Sequence, residues 1–269
     1  MKYPRVAITG VGLWVKGFPT AKAWLAGSAD PAAEKPLGTA LDKVNRRRAG
    51  PLGRALADVA AEAIAMAGAD PATVPTIIGS SIGEAATMIG LLDQMWRKHE
   101  PMSPAEFTVS VHNAASGLIS ICNKNRGMTT SLAADSDTPA AALLEGIGMV
   151  LTRGTPVLVA CGDEPAPENL AGQAPLWAML ASAIVLAPPD TSPRLADLEL
   201  EHATPGADEL SPAALPPLHN PRFDALLVNN PQIGLAWLVD AALRRATGSV
   251  PLDNGDGRGY LAEVRAFPA

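Results

Sequence analysis

Reactive side chains are scarce in this sequence. It contains two cysteines, Cys122 and Cys161, and four histidines, and its aromatic residues amount to 4%. Both cysteines lie in apolar stretches, which predicts buried free thiols in a reducing compartment rather than a disulfide framework. The histidines show no spacing typical of a metal site; they are His99, His112, His202 and His219. We therefore expect no bound metal.

A net positive charge and long apolar runs are missing as well. The net charge of −6 argues against nucleic acid or an anionic membrane as the main partner. No apolar run approaches the roughly 20 residues that a membrane span needs. Residues 1–13 have a charged start and an apolar stretch, but Gly10-Val11-Gly12 interrupts them and no small-residue cleavage site follows. We therefore expect a cytoplasmic protein, and the 48% of apolar residues are enough for a full core.

Strand and helix patterns alternate along the chain, which predicts an α/β sandwich. A change of composition near Thr204 opens a proline-rich stretch, so we divide the chain into a domain over 1–203 and an extension over 204–269. Helices are expected at 20–27, 51–67, 84–98, 140–151 and 232–247, with another that starts at Ser103. Strands are expected at 5–9, 75–80, 129–133, 156–160, 182–187, 195–202 and 260–267.

The central stretch from Ser103 to Glu164 has the strongest pattern. Ser103 and Glu106 form a capping pair with Pro104 at the first helical position. A buried strand is expected at Thr129–Ala133, followed by a corner at 135–137 and a second helix. A helix that starts directly after a buried strand is where α/β enzymes place nucleophiles and oxyanion donors.

This stretch resembles the nucleophile region of β-ketoacyl synthases. The resemblance rests on the run SVHNAASGLISICNKNRGMTTSLAA, the corner, a helix, and then VLVACGDE. The family has a Cys at the corner that takes the acyl chain as a thioester. Counting from the two flanks places that position at Ser136 or at Asp137, so the nucleophile is missing here.

The resemblance covers roughly residues 5–201 and corresponds to the N-terminal half of the family alone. The second half, which carries two catalytic histidines, is not represented. The implied fold is a single thiolase-like layered sandwich with a mixed five-stranded sheet, followed by a proline-rich excursion and a helix.

In function, the chain resembles chain length factors, which are inactive relatives that pair with an active ketosynthase. The short form is similar to the truncated chain-length-factor-like subunits found with bacterial aryl polyene synthases. The resemblance implies a heterodimer or heterotetramer with a ketosynthase, and contact with acyl carrier protein through that complex. It places the acyl tunnel at Phe107, Val111, Ala114, Ala115 and Leu118. It places the pairing strand at the sheet edge, at Thr129, Thr130, Ser131, Leu132 and Ala133.

Other interpretations stay open. An independent acyl-thioester hydrolase or transferase would use Cys161 or Ser136 with His112, although no GxSxG sequence is present. A homodimer that only holds acyl chains is a second alternative. The GVG after the first strand is a weak dinucleotide signal without a GxGxxG, so no cofactor is expected. The run Arg46-Arg47-Arg48 is either a solvated face or a dock for an acidic partner such as a carrier protein.

Overall fold

The computed structural model describes residues 1–172, 176–202 and 220–267. In these ranges eight strands form one mixed sheet, so the expectation of a five-stranded sheet is wrong. The strands are β1 (Val6–Val15), β2 (Thr76–Gly79), β3 (Thr129–Leu132), β4 (Val157–Asp163), β5 (Leu180–Ala187), β6 (Ala196–His202), β7 (Gly248–Pro251) and β8 (Tyr260–Ala266). Their order is β3-β2-β4-β5-β1-β6-β8-β7. The sheet is wider than expected because β6, β8 and β7 continue it beyond β1 by antiparallel pairing.

Helices cover both faces of the sheet. They are α1 (Ala21–Ala26), α2 (Lys43–Arg48), α3 (Pro51–Ala67), α4 (Ala85–Trp96), α5 (Pro104–Phe107), α6 (Ala114–Asn123), α7 (Thr138–Arg153), α8 (Glu168–Ala171), α9 (Ala225–Val228) and α10 (Ile233–Leu243). One core lies between the sheet and α7 with α10, and a second lies between the sheet and α3 with α6. Among the described helices, none is both long and apolar enough to cross a membrane.

Gly10 and Gly12 lie inside β1, which runs on to Val15, so the expected strand end at residue 9 is wrong. A Cβ atom on Gly10 would collide with the Ala63 carbonyl, and one on Gly12 with the Val59 carbonyl. Both carbonyls belong to α3. The two glycines therefore allow a helix to pack directly on the strand, which is a different role from a phosphate-binding turn.

The helix expected from Ser103 is interrupted. Ser103 Oγ accepts a hydrogen bond from Glu106 N at 3.3 Å, which starts α5 as the sequence predicts. The helix then ends at Phe107, and beyond it the hydroxyls of Thr108 and Ser110 donate to the carbonyls of Ala105 and Phe107. A new helix, α6, begins only at Ala114.

Two further expectations are corrected. The stretch 28–50, expected as a loop, contains α2, whose start is capped by Asp42 through the backbone N–H groups of Val44 and Asn45. In α4, helical spacing predicts an inward face of Met88, Leu91, Leu92 and Met95, but of these Leu91 alone is buried, and Met88 and Leu92 are exposed. This helix is apolar around most of its surface, so its pattern did not fix which side faces the core.

Residues after 219 belong to the same sheet and core. Helix α10 packs on β5 and β1 and is buried at ten positions from Ile233 to Ala242. β7 and β8 extend the sheet on that side. The proline-rich stretch falls mainly on 203–219, outside the described residues, so the division at 203 stays a prediction.

Candidate functional site

The corner after β3 is the site that the sequence singles out. Residues Asp135–Asp137 form one turn of 3-10 helix, and α7 begins directly after it. Asp135 has a φ of 52°, in the left-handed region, and Ser136 is buried. The corner therefore has the expected strand–turn–helix form, with Ser136 or Asp137 at the position of interest.

Asp137 is engaged by the C-terminal part of the chain. The backbone N–H of Arg258 donates to Asp137 Oδ1 at 2.8 Å, and the Arg258 guanidinium lies 3.5 Å from Oδ2. Gly257 packs so closely on the same carboxylate that a Cβ atom there would collide with it. Asp137 is thus held in an ion pair that the sequence reasoning did not anticipate.

Below the corner lies a buried hydrogen-bond network centred on Asp163, at the end of β4. Asp163 accepts from Ser80 Oγ at 2.5 Å, from the backbone N–H groups of Ser81 and Ile82, and from Gln232 Nε2 at 2.8 Å. Burial raises the pKa of Asp163, although these four donors oppose the shift. The network connects β4, the loop after β2 and the start of α10.

Ser81 joins this network to the corner. Its hydroxyl donates to the Asp135 carbonyl at 2.8 Å and accepts from Gln232 Nε2 at 2.8 Å. The corner is therefore held by Gln232, which acts through Ser81, and by Arg258, which acts through Asp137. Both residues come from the segment that the sequence treats as an extension.

Two more carboxylates are buried beside Asp163. Burial, followed by the charge of Glu164, raises the pKa of Glu84 to about 7. Burial and the charge of Asp163 also raise the pKa of Glu164. Neither acid forms an ion pair with a described residue, and Oε2 of Glu84 and Oε1 of Glu164 lack hydrogen-bond partners there. The sequence reasoning missed this acid cluster; the one available signal was the acidic pair that ends the apolar run VLVACGDE.

The candidate nucleophile and base are not assembled. His112 Nε2 donates to the Ser80 carbonyl at 2.7 Å, and its ring packs on Gly83. Cys161 is fully buried, and burial together with the Asp163 charge raises the pKa of its thiol far above the ordinary value. Among the described residues, no hydrogen bond joins His112 to Ser136 or Cys161. A thiol in this state is not a nucleophile at neutral pH.

The five tunnel candidates separate into two groups. Phe107 and Val111 are 56% and 42% exposed. Ala114, Ala115 and Leu118 are buried in the core between α6 and α3. Helical spacing predicts that Phe107, Val111, Ala115 and Leu118 share one face, but that face is absent because α5 ends before α6 begins.

Strand β3 lies at one edge of the sheet, as expected, and pairs with β2 alone among the described strands. Thr76 N donates to Met128 O, and Ser80 N donates to Leu132 O. Backbone groups alternate in direction along a strand, so residues 128, 130 and 132 face β2. The N–H and C=O groups that point away from the sheet belong to Thr129, Ser131 and Ala133.

A mixed sheet between two helical layers, with a helix that starts at the corner after β3, defines a thiolase-like α/β fold. The solved structures that the chain resembles have this fold. One such match is a chain in the complex of the ketosynthase ApeO with its chain length factor ApeC from Xenorhabdus doucetiae. It is 18% identical and has a TM-score of 0.68, and the match covers 98% of this chain and 100% of that chain. The ishigamide ketosynthase/chain length factor matches at 16% identity, with a TM-score of 0.59 over 74% of this chain and 67% of that one.

A third match is a chain in the AntDE:AntF structure, a type II polyketide acyl-carrier protein in complex with its ketosynthase. It is 13% identical and has a TM-score of 0.57, and the match covers 74% of this chain and 70% of that chain. The family model described as the β-ketoacyl synthase N-terminal domain matches residues 21–220. The chain therefore belongs to the β-ketoacyl synthase N-terminal domain family. No curated protein matches it.

Proposed function

We propose that this chain is a non-catalytic partner of a β-ketoacyl synthase, in the role of a chain length factor. The corner carries the proposal. Where the family has its nucleophilic Cys, this chain has Ser136 or Asp137. The Asp137 carboxylate accepts a hydrogen bond from the Arg258 backbone N–H at 2.8 Å. Neither side chain forms a thioester, and His112 is bonded to a backbone carbonyl instead of a hydroxyl.

The open edge of β3 supports pairing with a second protein. Its outward backbone groups at Thr129, Ser131 and Ala133 need partners, and a second sheet supplies them by strand addition. The solved relatives include complexes of a ketosynthase with a chain length factor. In this chain we assign pairing with a ketosynthase to β3, giving a heterodimer or a pair of heterodimers.

The exposed side chains of Phe107 and Val111 support a role in the acyl tunnel. These two large apolar side chains have 56% and 42% of their surface in solvent, which is area that a partner can cover. They immediately precede α6, the helix that packs on β3. On pairing across β3 they reach the partner's acyl chain, and acyl carrier protein meets the chain through the complex.

Reconstitution with a ketosynthase tests the proposal. Co-expression followed by size-exclusion chromatography with light scattering should give a complex of equal stoichiometry. After incubation with acyl carrier protein, intact mass spectrometry should find the acyl group on the ketosynthase and none on this chain. An adduct at Ser136 would instead establish an independent enzyme. A homodimer that ignores the ketosynthase would establish an acyl-binding module.

A further inference from the structure

A cationic cavity lies on the surface formed by α2, α3 and the loop before α2. It has a volume of about 290 Å³ and is lined by Leu37, Lys43, Arg46, Arg47 and Arg54. Ligand pockets in proteins commonly measure roughly 300–1,000 Å³, so the cavity suits a small ligand or a head group. Four of its five lining residues carry a positive charge, on a chain whose net charge is −6.

The charges in this cavity are uncompensated by the described residues. None of the described residues forms an ion pair with Lys43, Arg46, Arg47 or Arg54. By contrast Arg194, whose side chain is 12% exposed, pairs with Asp197 at 2.8 Å. Clustered like charges repel one another, so this arrangement costs free energy unless an anion binds.

Two acids of the same region, Asp42 and Asp58, accept hydrogen bonds from other donors. Asp42 accepts from the backbone N–H groups of Val44 and Asn45 at 2.9 and 3.0 Å. Asp58 accepts from Gly38 N at 2.8 Å, Ala40 N at 3.0 Å and the hydroxyl of Thr39. Neither carboxylate forms an ion pair with the four cations of the cavity.

The cavity is held in place before any ligand arrives. Arg54 Nε donates to the Arg46 carbonyl at 3.1 Å, which fixes its guanidinium. Gly38, with a φ of 67°, packs on the aliphatic stems of Arg46 and Arg54, where a Cβ atom would collide. Asp58 holds this loop through Gly38, Thr39 and Ala40, so the surface on which the arginine stems pack is in place before a ligand binds.

The chemistry of the cavity selects a phosphoryl group. Guanidinium groups match phosphate oxygens in bidentate geometry, and three of the four cations are arginines. A carboxylate would neutralise one charge of the four, whereas a phosphate or diphosphate neutralises two or more. We propose that the cavity of Lys43, Arg46, Arg47 and Arg54 binds a phosphoryl-bearing ligand, a site separate from the corner and from β3.

Titration calorimetry of the full chain with pyrophosphate at low ionic strength tests this site. The wild type should show saturable one-to-one binding, and Arg46→Gln/Arg47→Gln should weaken it at least tenfold. The control Lys22→Gln/Arg153→Gln removes the same charge from helix surfaces elsewhere and should stay within about twofold. Arg47→Gln alone, at an exposed position, should weaken binding severalfold with unchanged thermal unfolding.

Absence of saturable binding by the wild type would overturn the proposal, and so would equal weakening in both double variants. Two probes then identify the source of the phosphoryl group. Carrier protein that binds more tightly with its phosphopantetheine arm than without it, and loses this preference in Arg46→Gln/Arg47→Gln, identifies the arm. If ADP binds as tightly as pyrophosphate and carrier protein binds equally with and without its arm, the ligand is a free phosphorylated molecule. The pyrophosphate result does not depend on the ketosynthase, so the site and the proposed function fail independently.

Discussion

The Nε2 atom of Gln232 lies 2.8 Å from Oδ2 of Asp163, although the two residues are 69 positions apart in the chain. Both side chains are fully buried. The contact therefore joins the C-terminal helix α10 to the end of β4 in the interior of the molecule.

Gln232→Ala should lower the free energy of unfolding by about 2–4 kcal/mol, because it removes a donor from a buried acid and leaves a small cavity. Urea denaturation followed by circular dichroism measures the change. Asn229→Ala is the matched control: its amide donates to the Leu176 carbonyl near the surface, and its loss should cost less than about 1 kcal/mol. Equal costs in the two variants would show that the buried network is not what holds α10.

Stability should fall as the pH rises from about 4.5 to about 7. Burial and Glu164 raise the pKa of Glu84 to about 7 in the folded chain, above the ordinary value that it regains on unfolding. Between these two pH values Glu84 keeps its proton in the folded chain but loses it in the unfolded chain. This contribution to stability is therefore complete below about pH 4.5 and is lost above about pH 7. The raised pKa values of Glu164 and Asp163 act in the same direction.

Glu84→Gln should flatten this fall and should raise the free energy of unfolding at pH 8 by about 1–3 kcal/mol. Urea midpoints at pH 5 and pH 8 provide the measurement. Glu145→Gln, at an exposed position on α7, should leave the pH dependence unchanged. An unaltered slope in the Glu84 variant would place the titration on other groups.

Ser131→Pro should abolish the complex with a ketosynthase. The N–H of Ser131 points away from β2, so proline removes a donor from the free edge without breaking the β2 ladder. Ser131→Ala is the control, since it removes only the hydroxyl that donates to Ser116 Oγ at 2.8 Å and keeps the N–H. Size-exclusion chromatography after co-expression should show a complex for alanine and separate proteins for proline. A complex that survives in the proline variant would exclude β3 as the pairing strand.

Phe107→Ala should lengthen the products of the reconstituted complex, and Val111→Trp should shorten them, because one opens and the other fills the space before α6. Mass spectrometry of the released chains gives the length distribution. Leu151→Ala, an equally exposed apolar position on α7, is the control and should have no effect. Ala115→Trp is a poor test, because Ala115 is only 4% exposed and tryptophan there would overpack the core. Unchanged lengths in both variants with the complex intact would place the tunnel on other residues.

Gly12→Ala should cost about 3 kcal/mol or more, because the new Cβ would collide with the backbone of α3 at Val59. Gly148→Ala has open space around its Cβ on α7 and should gain about 0.5–1 kcal/mol from helix propensity. Thermal unfolding of the pair measures both. A mild effect at Gly12 would mean that α3 is not in direct contact with β1.

The sequence predicted elements whose ends carry local chemical signals. Helix α3 is correct at both ends, because Pro51 suits the first turn and Gly68 takes the left-handed conformation that ends it. The break between α5 and α6 was missed because residues 108–113 contain neither the glycine nor the proline that commonly marks a helix end.

The candidate site was predicted only in part. The family resemblance located the corner and the edge position of β3. The groups around the corner come from distant segments, as with Ser80 and Asp163, which are 83 positions apart. Only the strand order brings β2, β4 and α10 to one end of the sheet, and no local pattern encodes it.

The far end of the sheet limits what can be built from this chain. Leu252 N donates to Tyr260 O, so by alternation Ser249 and Pro251 are the β7 residues that point away from β8. Proline has no N–H to offer, and the described part of β7 is four residues long. A sheet extended across β3 would therefore end at β7, where a four-residue strand that contains a proline offers little backbone for a further strand.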